Sequence, residues 1–112
     1  MKRFRIGNDI DITWDVKKNG EAVDLSGKSV SLYMTHPKGR ESLFENRTDL
    51  SGSTVTFTLE GLRQVVLGRY TLTIDIRKDG KRVLIQDKCG AFVLVGRSCA
   101  EEPEETDYIV EL

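Results

Sequence analysis

The chain has 112 residues, of which 38% are hydrophobic and 31% are charged, and its formal net charge is −1. This length predicts a single domain that buries about two-thirds of its unfolded surface and needs neither a metal nor a disulfide to fold. No stretch approaches the roughly 20 apolar residues of a membrane-spanning helix. The two cysteines, Cys89 and Cys99, are too few for a disulfide framework, so we expect both to be free thiols.

The first predicted element is a strand, because residues 10–16 alternate apolar and polar side chains with period two. Its apolar side consists of Ile10, Ile12, Trp14 and Val16. Asn19-Gly20 follows, and this pair favours a tight hairpin turn because a type I′ turn needs two positive φ angles.

The same alternation predicts three further strands, near residues 28–35, 54–59 and 69–77. Their apolar positions are Val30, Leu32 and Met34, then Val55, Phe57 and Leu59, then Tyr70, Leu72, Ile74 and Ile76. Residues 40–53 have a weaker pattern, which predicts at most a short strand at Leu43-Phe44.

Two other segments break the alternation. Leu62, Val65 and Val66 have helical spacing, which predicts one helical turn near 61–67 that ends at Gly68. After a hairpin turn at Asp79-Gly80, residues 82–87 form the returning strand. The continuously apolar residues 91–95 are typical of a strand that is buried on both sides.

About seven short strands at intervals of 8–12 residues predict an all-β fold, an immunoglobulin-like antiparallel β-sandwich with one short helical turn near 61–67. Residues 1–97 form this predicted domain, and residues 98–112 form an acidic C-terminal tail. The predicted core contains Trp14, Leu32, Phe57, Tyr70, Leu72, Ile74 and Phe92.

Charge is unevenly distributed, since residues 100–112 hold six of the 18 acidic groups and no Lys or Arg. A solvated, frayed tail is one interpretation. The other is a short strand that pairs with a neighbour's edge, because Tyr108, Val110 and Leu112 alternate. Lys2, Arg3 and Arg5 form a basic arm that could pair in the same way. We therefore predict assembly contacts at Lys2, Arg3, Arg5, Tyr108, Val110 and Leu112.

No group of residues in the sequence indicates catalysis. His36 is the only histidine, and it precedes Pro37 in a predicted exposed loop with no nucleophile in view. Asp9, Asp11 and Asp15 share a strand face that is expected to be solvated, although a loop closing over it could make a calcium site. No phosphate-binding loop and no pattern of basic residues interleaved with exposed aromatics occurs. We expect no enzyme activity, metal, cofactor, nucleic acid or membrane partner.

The order of several short motifs resembles a known family over residues 8–95. The motif G-x-x-V-D-L-S/T-G joins the first two strands at residues 20–27, and G-x-Y opens a later strand at residues 68–70. The chain is similar here to the small immunoglobulin-like domains of tailed-phage and prophage structural proteins, notably the N-terminal domain of baseplate upper proteins. In members of that family, the domain is commonly followed in the chain by a fibre or receptor-binding region, whereas an acidic tail follows it here.

The resemblance implies a non-enzymatic virion subunit of the tail, baseplate or fibre. It implies a homo-oligomer that acts through contacts with other virion proteins or copies of itself, and it assigns no catalytic residues. Such a protein is made in the bacterial host cytoplasm, and the N-terminus agrees because no apolar signal-peptide stretch follows its charges. The alternative function is a carbohydrate-binding or adhesin-type β-sandwich module, which would place aromatic side chains such as Trp14 on an exposed face.

Overall fold

The computed structural model describes residues 2–96 and 109–112, and these residues form an all-β fold, as predicted. The strands are β1 (Lys2–Arg5), β2 (Ile10–Asp15), β3 (Lys17–Lys18), β4 (Glu21–Ala22), β5 (Ser29–His36), β6 (Gly39–Arg47), β7 (Thr54–Leu59), β8 (Gly68–Lys78), β9 (Lys81–Val95) and β10 (Ile109–Glu111). A short 3-10 turn covers Gly61–Arg63. No helix within these ranges has the length and apolar character needed to cross a membrane.

The strands form two main sheets, ordered β1-β9-β8-β5-β6 and β10-β2-β7, beside the small β3-β4 hairpin. The order β9-β8-β5-β6 corresponds to strands G, F, C and C′ of an immunoglobulin-type sandwich, and β2-β7 corresponds to strands B and E. Two pairings are parallel, β1 with β9 and β10 with β2. The sandwich is therefore not wholly antiparallel as the sequence predicts, because both chain ends add strands to its edges.

The core lies between the two sheets, where the apolar side of each alternating strand faces inward. Six of the seven predicted core residues are buried there: Trp14, Leu32, Tyr70, Leu72, Ile74 and Phe92. The rings of Tyr70 and Phe92 stack with their centroids 4.9 Å apart, and Phe4 meets Phe92 edge-on at 6.2 Å. These aromatic contacts join the N-terminal strand to the centre of the larger sheet.

Phe57 is the exception, because it is only partly buried. It lies on β7 at the edge of the smaller sheet, where no described strand covers its outer side. Its ring packs against Phe44 at a centroid distance of 5.8 Å. Period-two alternation predicts on which face of a strand each side chain lies, but it does not reveal that the strand lies at the edge of a sheet.

Three other predictions differ from the structure. The predicted short strand at residues 43–44 is the nine-residue β6. The helical turn covers only Gly61–Arg63 rather than residues 61–67. In residues 91–95, Phe92 and Leu94 are buried but the alternate residues are half-buried, because their outer face has no second layer over it.

The C-terminal strand β10 forms, but it pairs within its own chain. It runs parallel to β2, and Val110 is only 2% exposed. The N–H of Leu112 donates to the Thr13 carbonyl at 2.8 Å, and the N–H of Asp15 donates to the Leu112 carbonyl at 3.2 Å. One side of β10 is therefore paired within the chain, and a role of Val110 and Leu112 in assembly stays a prediction. Tyr108 and the rest of the predicted acidic tail up to residue 108 lie outside the described residues.

The predicted basic arm also pairs within the chain, as strand β1 beside β9. Lys2 Nζ donates to the Ile109 carbonyl at 2.7 Å, which links the arm to β10. Arg5 Nη1 donates to the Ile6 carbonyl at 3.3 Å. The side chain of Arg3 lies on the exposed surface. A role of Lys2, Arg3 and Arg5 in assembly stays a prediction.

Replacing Val110 tests whether β10 contributes to the stability of the sandwich. We expect Val110→Ala to lower the free energy of unfolding by up to about 2 kcal/mol, because a buried side chain loses apolar contacts. Ile109→Ala is the matched control, since Ile109 is 41% exposed, and it should cost no more than about 0.5 kcal/mol. Urea unfolding of both variants measures the difference, and equal losses would contradict the placement of β10.

Candidate functional site

His36 is a half-buried residue at the end of β5, so the prediction of an exposed loop position is wrong. Its side chain is 5% exposed, and its ring lies 5.4 Å from that of Tyr70. Nδ1 accepts the N–H of Lys38 at 3.1 Å, and Nε2 lies 3.5 Å from Glu41 Oε2. The β5-β6 hairpin brings the ring onto the end of the core, and these contacts are those of a residue that stabilises the hairpin.

The aspartates of β2 bind threonine hydroxyls of the neighbouring strand. Thr58 Oγ1 donates to Asp11 Oδ1 and Thr54 Oγ1 donates to Asp15 Oδ1, both at 2.7 Å. The described residues hold no group of three or more His, Cys, Asp or Glu side chains placed to bind a metal. Cys89 is an exposed free thiol, while Cys99 lies outside the described residues.

Asp75 forms a charge cluster that the sequence analysis missed. Its side chain is 7% exposed on β8. Arg77 donates to its two oxygens at 3.4 and 3.2 Å, and Arg82 donates at 3.3 Å to both. Burial alone would raise the pKa of Asp75, but the hydrogen bonds from Arg77 and Arg82 outweigh it and hold the pKa below its ordinary value. The cluster ties β8 to β9 near their hairpin.

The cluster should make stability depend on pH. Because folding lowers the pKa of Asp75, its contribution is present above the ordinary value of 3.8 and is lost as the pH falls through the lower folded value. We expect Asp75→Asn to cost about 1–3 kcal/mol near pH 7. The difference from the parent protein should shrink at about pH 2.

Urea unfolding at both pH values measures this difference. Asp79→Asn is the matched control, because Asp79 is exposed in the β8-β9 turn, and it should change little at either pH. A cost of Asp75→Asn that stays constant with pH would contradict the assignment.

The most unusual surface of the molecule is the segment of residues 60–67, which we call the apolar loop. Leu62 is 94% exposed, Val65 74% and Leu67 49%. Large apolar side chains that are grouped in this way are uncommon on a monomer and mark sites of contact with other molecules. The helical spacing of Leu62 and Val65 led to the prediction of a turn, but it did not reveal that both side chains face solvent.

Gln64 fixes the apolar loop from beneath. Its side chain is buried, and Oε1 accepts the N–H of Gly7 at 2.9 Å. Nε2 donates to the carbonyl of Asn8 at 2.5 Å and to that of Leu59 at 3.3 Å. A polar residue among exposed apolar neighbours is the sequence signal for this arrangement, but Gly7 and Asn8 lie more than 50 residues away along the chain. The loop is thus tied to the β1-β2 turn.

Two further contacts hold the ends of the apolar loop. The N–H of Gly61 donates to Asp9 Oδ1 at 2.8 Å, and Tyr70 Oη donates to the Val66 carbonyl at 2.7 Å. Burial and the charge of Glu41 raise the pKa of Tyr70, so its hydroxyl remains a donor at neutral pH. A loop that is held in place before binding loses less conformational entropy when a partner docks.

Gly61 allows the loop to approach the β1-β2 turn. A Cβ atom added at Gly61 would lie 1.9 Å from the Gly7 carbonyl oxygen, although Gly61 does not have a positive φ. We expect Gly61→Ala to lower the free energy of unfolding by more than about 2 kcal/mol, because backbone must move to make room. Glu60→Ala is the matched control and should change it by less than about 0.5 kcal/mol. Thermal unfolding followed by circular dichroism measures both, and a tolerated Gly61→Ala would contradict the close packing.

No protein-family model matches the chain, and no curated protein is similar enough to match it. Arg63 is exposed between Leu62 and Val65 of the apolar loop, and Arg69 is exposed shortly after the loop ends. Arg63 Nη2 is held by the Ser42 carbonyl at 3.1 Å. An apolar centre with a charged rim is the composition of a protein-docking surface.

Proposed function

We propose that this protein is a non-enzymatic structural subunit that docks onto other proteins through the apolar loop. The observation that carries the proposal is the exposure of Leu62, Val65 and Leu67 on a loop that is anchored by hydrogen bonds of the buried Gln64 side chain. An exposed apolar group costs solubility, so a partner that covers it accounts for its presence. The fixed backbone suits rigid docking rather than folding upon binding.

The positions of the aromatic side chains favour this role over the alternative of a carbohydrate-binding or adhesin module. Sugar binding needs an exposed ring face for stacking, but Trp14, Tyr70 and Phe92 are buried in the core. The guanidinium of Arg40 lies 4.0 Å from the ring centre of Tyr33 and covers one face of it. These three core rings therefore offer no open face for stacking, and one face of the Tyr33 ring is covered.

The finer proposal is a subunit of a phage or prophage virion, in the tail, baseplate or fibre, made in the bacterial host cytoplasm. It is supported by the resemblance of the motif order to immunoglobulin-like phage domains and by the immunoglobulin-type strand order. The motif at residues 20–27 spans β4 and the turn before β5, and Leu25 within it is buried. On this proposal its partners are other virion proteins or copies of itself.

The test is co-expression of the chain with the products of adjacent genes, followed by the mass of the purified complex. We expect the triple variant Leu62→Ser, Val65→Ser and Leu67→Ser to weaken the complex at least about tenfold, because it removes the apolar contact. Ile85→Ser is the matched control, since Ile85 is 46% exposed on β9, outside the loop, and it should leave binding unchanged.

Circular dichroism of each variant shows whether it is folded. A folded triple variant that binds as tightly as the parent protein would rule out the loop as the docking site. If none of the adjacent gene products binds the parent protein, the virion role is rejected as well.

A further inference from the structure

The backbone of β7 has a side that faces away from its own sheet. On β2, the N–H of Asp15 and the carbonyl of Thr13 bond to β10 through Leu112. Because backbone groups alternate in direction along a strand, the even-numbered residues of β2 must point to β7. The bond from the Val16 N–H to the Ser53 carbonyl, at 2.8 Å, agrees with this direction.

The register then assigns the two sides of β7. Ile12 pairs with Phe57 and Trp14 with Val55, so these residues exchange the hydrogen bonds between β2 and β7. The N–H and carbonyl groups of the alternate residues point outward, and these residues are Thr54, Thr56 and Thr58. Strand β7 is an edge strand of its sheet, and within the described part of the chain it forms backbone hydrogen bonds only with β2.

The outer side of β7 lacks the features that protect the other edges. Natural edge strands avoid pairing through charges, bulges or short length. Strand β1 carries three basic residues, β6 carries charges of both signs with a register shift, and β10 has three residues. Strand β7 reads TVTFTL, with no charge, proline or glycine. Threonine, valine and phenylalanine are also strong strand formers.

We propose that β7 pairs with β7 of a second copy, antiparallel and about a two-fold axis that passes beside Thr56. This register places Thr56 opposite Thr56 of the partner subunit, and Thr54 opposite Thr58 of the partner subunit. It is the one antiparallel register in which all three outward-facing residues find a partner, so every outward N–H and carbonyl is satisfied. The small sheets of the two copies then form one continuous sheet.

The side chains on both faces suit this pairing. On the outer face, threonine lies opposite threonine, a favourable cross-strand pair without charge repulsion. On the inner face, Phe57 comes opposite Val55 of the partner subunit, which covers the part of its ring that a single copy leaves exposed. A charged or heterologous strand would gain the backbone bonds but would lack this matching of identical side chains. These features favour a second copy as the occupant.

Substitutions that introduce opposite charges at Thr56 test the pairing of β7 with β7 of a second copy. Thr56 is exposed, so lysine or glutamate at this position should leave the subunit folded. Thr56→Lys and Thr56→Glu should each raise the dissociation constant of the dimer several-fold, because identical charges meet at the two-fold axis. A one-to-one mixture of the two variants should recover a dimer at least as tight as that of the parent protein. Sedimentation velocity over a concentration series measures all three constants.

Thr13→Lys is the matched control, because Thr13 lies on the neighbouring strand opposite Thr56 but its backbone faces β10. It should leave dimerisation unchanged, as should the triple variant of the apolar loop. The proposal is overturned by a parent protein that stays monomeric at its highest soluble concentration, by charged variants that dimerise normally, or by a mixture that fails to recover. None of these results depends on whether the apolar loop binds another protein.

Discussion

The burial of one face of each sheet is the constraint on which the rest of the structure depends. Tyr70 and Phe92 stack on neighbouring strands of the larger sheet, and Trp14 of the smaller sheet is buried in the same core. Burial of apolar surface of this kind is the dominant favourable term in folding. Because the interior takes Phe4, Trp14, Tyr70 and Phe92, the surfaces left for recognition are loops, edges and outer faces.

The core and the apolar loop are physically coupled through Tyr70. Its ring belongs to the core, and its hydroxyl holds the carbonyl of Val66. Gln64 acts in a similar way, since its buried amide bonds both the end of β7 and the β1-β2 turn. Displacing the loop would break hydrogen bonds that are partly or fully buried, which is costly when water cannot replace them. The exposure of Leu62 and Val65 is therefore built into the fold and is not the result of a loose segment.

The sequence predicts the parts of this fold that local pattern controls. Period-two alternation locates β2, β5, β7 and β8, because successive side chains on a strand point to opposite faces. It does not distinguish an edge strand from a central strand of a sheet, which explains why Phe57 is only partly buried. It also does not reveal contacts between distant segments: the partners of Gln64, the packing of His36 on Tyr70, and the joining of Asp75 to Arg82 all depend on tertiary structure. The helical spacing near Leu62 is equally compatible with an exposed loop.

The positions of the two candidate contact surfaces determine what an assembly could look like. The apolar loop begins directly after β7 ends at Leu59. Antiparallel pairing through Thr56 would therefore place the two loops at opposite ends of the joined strands and leave both exposed. A dimer of this form is bivalent, and two simultaneous contacts bind far more tightly than one when the geometry allows both. Such a dimer would pair through β7 and would bind another protein through the apolar loop at each of its two ends. This geometry would suit a bridging subunit in a larger particle.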